Sequence, residues 1–351
     1  MSPSASYRSS GVDIEAGDRA VELMRAHVAS TGRPEVIGGI GSFAGAFAPR
    51  LDGITDPVLL SAADGVGTKL LIAQTLDRHD TVGIDLVAMI VDDLVCHGAE
   101  PLFLLDYIAC GRLVPDRIER IVAGVAEGCR QTGCALLGGE TAEHPGVMEP
   151  DAYDLAAFGV GIAARAAMWG PERVGEGDAV IGIASSGLHS NGFSLVRRIV
   201  LEHDLPLDEP LPALNDRTLG DELLEPTRIY APALLALARD HGIDIHAAAH
   251  ITGGGLESNL SRAIPQGLSP VLEMSAWPRP AIFAYLQETG GMSEEEMQKA
   301  FNLGLGMTIL VSEVQDEQTL EALGALGLPA FRIGSVGRGD DRGVAVEERA
   351  T

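Results

Sequence analysis

Basic side chains are scarce in this sequence: 25 Lys and Arg stand against 50 Asp and Glu, a formal charge of -25. A surface of that sign repels polynucleotides and anionic membranes, which argues against either as a partner. Aromatic residues make up only 4% while hydrophobic residues make up 46%. The core must therefore be filled by Ala, Val, Leu and Ile, as in layered α/β folds, and a disordered chain is excluded. Cysteine is limited to Cys96, Cys110, Cys129 and Cys134, too irregularly spaced for a paired zinc site and too few for a disulfide scaffold. Reduced thiols in a cytosolic protein are the plain reading. Long apolar runs are missing as well, and no charged segment leads into one at the N-terminus, so a cytoplasmic protein without membrane spans is expected.

With 351 residues, two domains are favoured over one large α/β domain. Apolar spacing predicts a first helix over Ile14–Val28, followed by a glycine-rich segment, Gly38 to Gly45, that reads as a mobile surface loop. Strands are expected at Val58–Ala62, Leu102–Ala109, Ala135–Leu137 and Leu155–Ala163, with helices at Ile84–Cys96 and Pro115–Gln131. This is a βαβ-containing unit. Gly170-Pro171 and the Gly175-Glu176-Gly177-Asp178 turn break the pattern, which divides the chain into 1–170 and 171–351. The second half restarts with strand Ala179–Ala184 and helix Gly192–Glu202. It continues with helix Thr227–His241, strand Ile245–Ala249, a helix opened by Gly253-Gly254-Gly255, helix Ala281–Glu288, strand Met307–Val311, helix Glu317–Leu326 and strand Phe331–Val336. Both halves are α/β or α+β in character.

A protein this acidic can hold a phosphate compound only through local backbone N–H groups, a few cations, or divalent metal bound to its carboxylates. Asp64-Gly65-Val66-Gly67-Thr68-Lys69, directly after a strand, supplies those parts. The glycines let N–H groups converge, Thr68 adds a hydroxyl, Lys69 adds a charge, and Asp64 offers a hard oxygen for Mg²⁺. It is not a Walker loop, and a tight strand-to-helix turn with a surface lysine is the alternative. Asp92 and Asp93 lie within the apolar helix Ile84–Cys96. Either at least one binds metal, or the two form the polar stripe of an amphipathic helix. Glu140, in Gly138-Gly139-Glu140-Thr141 after a strand, is a third candidate metal carboxylate.

Two further loops suit anion capture: Ser185 to Gly192, with His189, Ser190 and Asn191, and Thr252-Gly253-Gly254-Gly255. Ser190 or Asn191 could equally be a helix N-cap. Gly39-Ile40-Gly41-Ser42-Phe43-Ala44 matches G-x-G-x-x-A, but no strand precedes it and no helix follows, so a nicotinamide enzyme is not expected.

These segments, together with Gly11-Val12-Asp13-Ile14, Arg33-Pro34-Glu35-Val36, His79 to Met89, Gly98 to Phe103, Gly138 to Glu143, Pro226-Thr227-Arg228-Ile229-Tyr230 and Phe301-Asn302 to Met307, occur in one order over nearly the whole chain. In that order they resemble the phosphoribosylformylglycinamidine cyclo-ligase family. The resemblance implies a two-domain ATP-binding architecture, with an N-terminal ATP-binding half that pairs in a homodimer through its sheet and a C-terminal half for substrate and ATP. It implies ATP, Mg²⁺ and formylglycinamidine ribonucleotide as ligands. By the same carry-over, Asp64, Asp93 and Glu140 would hold metal and ATP phosphates, with Gly65, Gly67, Thr68, Lys69 and Gly139 around the nucleotide. Lys69 would support the phosphoryl group in catalysis, its charge mattering and the fold being indifferent to it. His189, Ser190, Asn191, Thr252, Gly253 and Gly254 would face the substrate, with His189 as the candidate proton-transfer residue. Asp92 departs from the more usual Asn, Leu188 stands where Pro is common, and Met148 stands where an aromatic is frequent. A thiamine-monophosphate kinase matches fewer segments, a selenophosphate synthetase lacks its expected Cys in the glycine loop, and a non-catalytic nucleotide-binding protein is the rival from another class.

Overall fold

The computed structural model describes residues 10–39, 41–339 and 345–347; Ile40 of the glycine loop lies outside them. The first half runs α1 (Ile14–Ala29), β1 (Val36–Ile37), β2 (Ala46–Phe47), β3 (Pro57–Gly65), α2 (Lys69–Leu76), α3 (Val82–Val95), β4 (Glu100–Cys110), α4 (Pro115–Thr132), β5 (Ala135–Glu143) and β6 (Tyr153–Ala164). Next come β7 (Ala179–Ala184), α5 (Phe193–Glu202), β8 (Pro210–Leu211), β9 (Arg217–Thr218), α6 (Leu219–Leu223), α7 (Ala231–Asp240), β10 (Ile245–His250) and α8 (Gly255–Leu260). The chain closes with β11 (Leu268–Glu273), α9 (Ala281–Gly290), α10 (Glu294–Ala300), β12 (Leu305–Val311), α11 (Asp316–Ala325), β13 (Ala330–Arg338) and β14 (Ala345–Glu347).

Two sheets organise these elements, with strand orders β3-β6-β4-β5 and β10-β12-β7-β13-β11-β14. In the first, β4 and β5 are parallel and joined through α4, the βαβ unit expected from the spacing, while β3 and β4 both run antiparallel to β6. The second sheet is antiparallel except at β11–β14. Helix α4 opens on Pro115 at its first turn and closes on left-handed Gly133. It buries Ile118, Ile121, Val122, Val125 and Cys129 at helical spacing. It crosses α3 in backbone contact, since a Cβ on Gly83 would lie 2.2 Å from the Val125 nitrogen.

Helix α3 is buried almost all round, from Val82 to Val95. One side packs on the first sheet, and the other meets α7 and β10 of the second half. A surface helix would show a polar stripe; this one is a rod through the seam of the molecule. Away from Phe103, on which Phe47 of β2 packs, the opposite face of the first sheet is uncovered: Leu59, Tyr107 and Phe158 are 65%, 41% and 43% exposed, and the strand register sets all three on one side.

Candidate active site

The seam opens into a cleft. Leu60 to Ala63 of β3 and Asp93 of α3 face Ala247 to His250 and Arg262 across a hollow of about 380 Å³. The next residues along the chain, Asp64 to Gly67, face Ser190 and Asn191 across an adjoining hollow of about 420 Å³. Gly65 passes so close to β6 that a Cβ would stand 2.8 Å from the Leu155 carbonyl oxygen, and Gly67 has a left-handed φ of +73°. Both positions therefore require glycine. The Thr68 hydroxyl lies 3.2 Å from that of Ser194 on α5, so it contacts the second half.

Two carboxylates reach this cleft. Asp64 Oδ1 accepts from the Gly65 N–H at 2.7 Å, and burial raises its pKa, with the negative charge of Asp93 adding to the effect. Asp93 Oδ1 lies 3.0 Å from His250 Nδ1, with the Asp93 side chain 46% exposed. Burial alone would lower the His250 pKa, but the hydrogen bond to Asp93 and the charges of Asp92, Asp93 and Asp64 outweigh it, and the net shift is upward. Arg262 lines the same hollow and pairs with no carboxylate of the described residues. It was not singled out by any sequence motif.

Glu140 does not join them. Register leads from Asp64 to Ala157 on β6, then Asp106 on β4, then Gly139 on β5. Three strand spacings, about 14 Å, separate the ends. Glu140 pairs with Tyr107 and so stands on the uncovered face, opposite Asp64. There it borders a hollow of about 670 Å³ with the Gly41 to Gly45 segment and Phe103. Gly139 is needed beside it because a Cβ would fall 1.6 Å from Asp106 Oδ1. The expected three-carboxylate metal set is thus corrected to two within one chain, and no three metal-ligating side chains gather among the described residues. Two carboxylates still fit Mg²⁺, which is commonly held by one or two together with substrate phosphates and water.

The Asp92-Asp93 ambiguity resolves by splitting the pair. Asp92 is fully buried, and its Oδ1 accepts from the Tyr230 and Ala231 N–H groups at 2.9 Å each. It caps α7 from a different half of the chain. Helix α7 begins at Ala231, four residues after the expected start at Thr227, and the Thr227, Tyr230 and Ala231 N–H groups are held by α3 carboxylates. Burial pushes the Asp92 carboxyl up to about 7.

Lys69 requires the largest correction. Its side chain is 0% exposed and its ammonium lies 2.9 Å from Asp85 Oδ1. The other two donors reach the His189 and Glu225 carbonyl oxygens at 3.1 and 2.8 Å. An ammonium has three donors, all used here, so Lys69 does not face the phosphates of a ligand in the cleft. His189 is corrected likewise. Its ring is 2% exposed and Nε2 accepts from the Ser186 N–H at 3.2 Å. Burial, with the nearby positive charges of His250, Lys69 and Arg228, drives its pKa well below the ordinary value. It is a core histidine that lines neither hollow of the cleft.

Ser190 and Asn191 do line the cleft, and Gly253 packs close to Asn191 Oδ1. The Thr252 hydroxyl turns to Asn259 Oδ1 at 3.3 Å. Gly254 borders a separate hollow of about 550 Å³ with Trp277 and Lys299, so the second loop meets the cleft only where Gly253 packs on Asn191.

The family model for AIR synthase related protein, N-terminal domain, matches residues 51–163, and that for its C-terminal domain matches 175–347. The chain is 53% identical over 336 residues to a phosphoribosylformylglycinamidine cyclo-ligase of Anaeromyxobacter dehalogenans, covering 96% of each chain. It is 53% identical over 334 residues to the protein of that name from Geobacillus kaustophilus, covering 95% of this chain and 96% of that one. Among solved structures, thiamine-monophosphate kinase from Stenotrophomonas maltophilia shares the fold with a TM-score of 0.68 at 21% identity, covering 95% of this chain and 97% of that one. A hydrogenase maturation protein in complex with ATP does so with a TM-score of 0.67 at 19% identity, covering 94% and 91%.

Proposed function

The chain belongs to the phosphoribosylformylglycinamidine cyclo-ligase family, and on that premise we propose how its cleft closes an imidazole ring. It is a ligase of purine biosynthesis, forming a carbon–nitrogen bond by ATP-dependent conversion of formylglycinamidine ribonucleotide to aminoimidazole ribonucleotide, ADP and phosphate. An amide oxygen is a poor leaving group. Transfer of the γ-phosphoryl group of ATP to the formamide oxygen makes it a good one, the amidine nitrogen attacks the formyl carbon, and phosphate departs.

The chemistry asks the protein mainly for positioning and charge compensation. The backbone N–H groups of Val66 and Gly67, with Thr68 behind them, cradle the phosphates, while that of Gly65 is held by Asp64. Asp64 and Asp93 would hold Mg²⁺, whose charge would offset that of the phosphates. Arg262, in the hollow that Asp93 lines, takes the cationic role that Lys69 does not fill. Ser190, Asn191 and Gly253 contact the ribonucleotide. The observation that carries this reading is one cleft with two carboxylates and a glycine turn on one wall and a hydroxyl-and-amide loop on the other. Incubation with ATP, Mg²⁺ and formylglycinamidine ribonucleotide should yield aminoimidazole ribonucleotide with stoichiometric ADP. ADP formation that requires thiamine monophosphate instead would overturn the assignment.

Residues 1–170 form the ATP-binding and dimerisation half in this scheme, and residues 171–351 the substrate half, in the cytoplasm. Two copies pair through the uncovered sheet face of Leu59, Tyr107 and Phe158, an apolar surface that a monomer would leave in water. Glu140 stands on that face and acts at the junction of the copies. Sedimentation equilibrium at micromolar concentration should give a dimer, and monomer alone would refute the pairing.

A further inference from the structure

Lys69 and Asp85 lie outside the chemistry but hold the wall of the cleft that bears Ser190 and Asn191. Asp85 Oδ1 receives the Lys69 ammonium, the Thr227 N–H at 2.8 Å and the Thr227 hydroxyl at 2.6 Å. The Thr227 Oγ1 lies 3.3 Å from the Ser190 hydroxyl. Lys69 also bonds the carbonyl oxygen of His189, the residue before Ser190. Ser186, at the start of the loop, donates to the Pro226 carbonyl oxygen at 2.6 Å. The links from α2 and α3 to the loop are therefore hydrogen bonds among buried groups, Lys69, Asp85, Thr227 and Ser190, where such bonds are strong and unmade ones costly.

The loop needs these restraints. His189 has a φ of +63°, in the left-handed region that a side-chain-bearing residue enters at a cost of about 1–3 kcal/mol and keeps only when its surroundings enforce it. Its carbonyl is bound by Lys69 and its ring by the Ser186 N–H. This backbone conformation sends the next two side chains into the cleft opposite Asp64 to Gly67.

We propose that Asp85 and Thr227, with Lys69, are positioning residues that set the Ser190-Asn191 loop at its working distance from the glycine turn. The proposal rests on the assignment of the cleft as the ring-closing site. Asp85 orients Thr227 and neutralises Lys69, and these two fix the hydroxyl of Ser190 and the carbonyl of His189. None of the three touches substrate.

Thr227→Val removes the hydroxyl while nearly preserving the volume, and Thr227→Ser returns it. In the Val variant, amide hydrogen exchange over residues 186–191 should speed up about tenfold, the effect of losing one hydrogen bond to a charged acceptor, while α3 and β7 remain unchanged. The KM for formylglycinamidine ribonucleotide should rise about tenfold with kcat falling less, and the Ser variant should return both readouts to within about threefold of wild type. Exchange of the loop unchanged by Thr227→Val overturns the proposal whether or not the wild type proves active. So does a Ser variant that behaves like Val, since packing of the methyl group would then be the cause. So does a loss of melting temperature with kinetics unchanged. Failure of the wild type to form product rejects the activity assignment, and the exchange comparison still decides the positioning role.

Discussion

Replacing Lys69 by Met keeps the aliphatic stem and deletes the ammonium, which isolates what the charge does. In the wild type the Lys69 and Asp85 side chains are both 0% exposed, so solvent cannot take over the lost partner. Asp85 keeps the two Thr227 donors but loses its counter-charge, and its Oδ2 has no partner among the described residues. Breaking a buried pair on one side typically costs about 3–5 kcal/mol, and each of the two carbonyl oxygens left without a donor adds roughly 1 kcal/mol. At about 2.1 cal/mol/K per residue, 351 residues give about 1.4 °C per kcal/mol, so the summed loss of about 5–7 kcal/mol should lower the melting temperature by roughly 7–10 °C. Adding Asp85→Asn removes the stranded charge and should recover part of the loss, with a coupling of about 1–3 kcal/mol. Calorimetric melts of the two single variants, the double variant and the wild type provide the measurement. A Lys69→Met protein that melts within about 2 °C of wild type yet turns over a hundredfold more slowly would place the ammonium on the phosphates and refute the reasoning.

Asp92→Asn keeps the oxygen that caps α7. Because burial raises the Asp92 pKa to about 7, the stability gained from its protonated form is complete below the ordinary carboxylate value near 4 and is lost as pH rises through about 7. The Asn variant should therefore be more stable than wild type at pH 8, by up to about 4 kcal/mol at roughly 1.4 kcal/mol per pH unit; urea midpoints whose difference is the same at pH 5 and pH 8 would contradict this. Gly255→Ala should cost more than about 2 kcal/mol, since its Cβ would lie 1.8 Å from the Gln298 carbonyl oxygen at a φ of +69°. Gly324→Ala, in α11 with open space around it, should be neutral or stabilising by up to about 1 kcal/mol, and equal melts for these two variants would disprove the steric account. Arg262→Gln should weaken ATP binding about tenfold by titration calorimetry while leaving the melting temperature within about 2 °C; unchanged affinity would remove Arg262 from the nucleotide site.

Periodicity made the long elements legible. Helix α4 and strands β6 and β7 lie within two residues of the positions their apolar spacing predicts, because amphipathic or continuous burial leaves a direct trace. Less visible was β5, expected to end at Leu137: Gly139, which read as part of a loop, is required inside the strand by the close approach of Asp106. Helix α2 and strand β11 went unrecognised, one being short and without a side-chain cap, the other containing Pro270. Asp64, Ser190 and Asn191 stood out in the sequence because glycine turns and loop chemistry are local, and Asp93 because it is a charge within an apolar helix; all four line the cleft proposed as the site. Lys69 misled because its partner sits sixteen residues away on the next helix, and a lysine after a glycine turn looks the same whether it faces water or the core. The available signal was Asp85 with Asp92: two carboxylates seven residues apart on one face of an apolar helix call for donors from elsewhere.

Helix α3 belongs by chain order to the first half, yet its carboxylates complete the backbone hydrogen bonding of the second. A fragment beginning near residue 171 would carry bare N–H groups at Thr227, Tyr230 and Ala231, and one ending there would strand Asp85 and Asp92 beside exposed Leu and Val. Family models that divide the sequence into two modules therefore mark ancestry more than autonomy. A chimera between relatives would have to exchange α3 together with the 225–231 segment, as lock and key, or inherit two halves that each fold around a missing piece of the other.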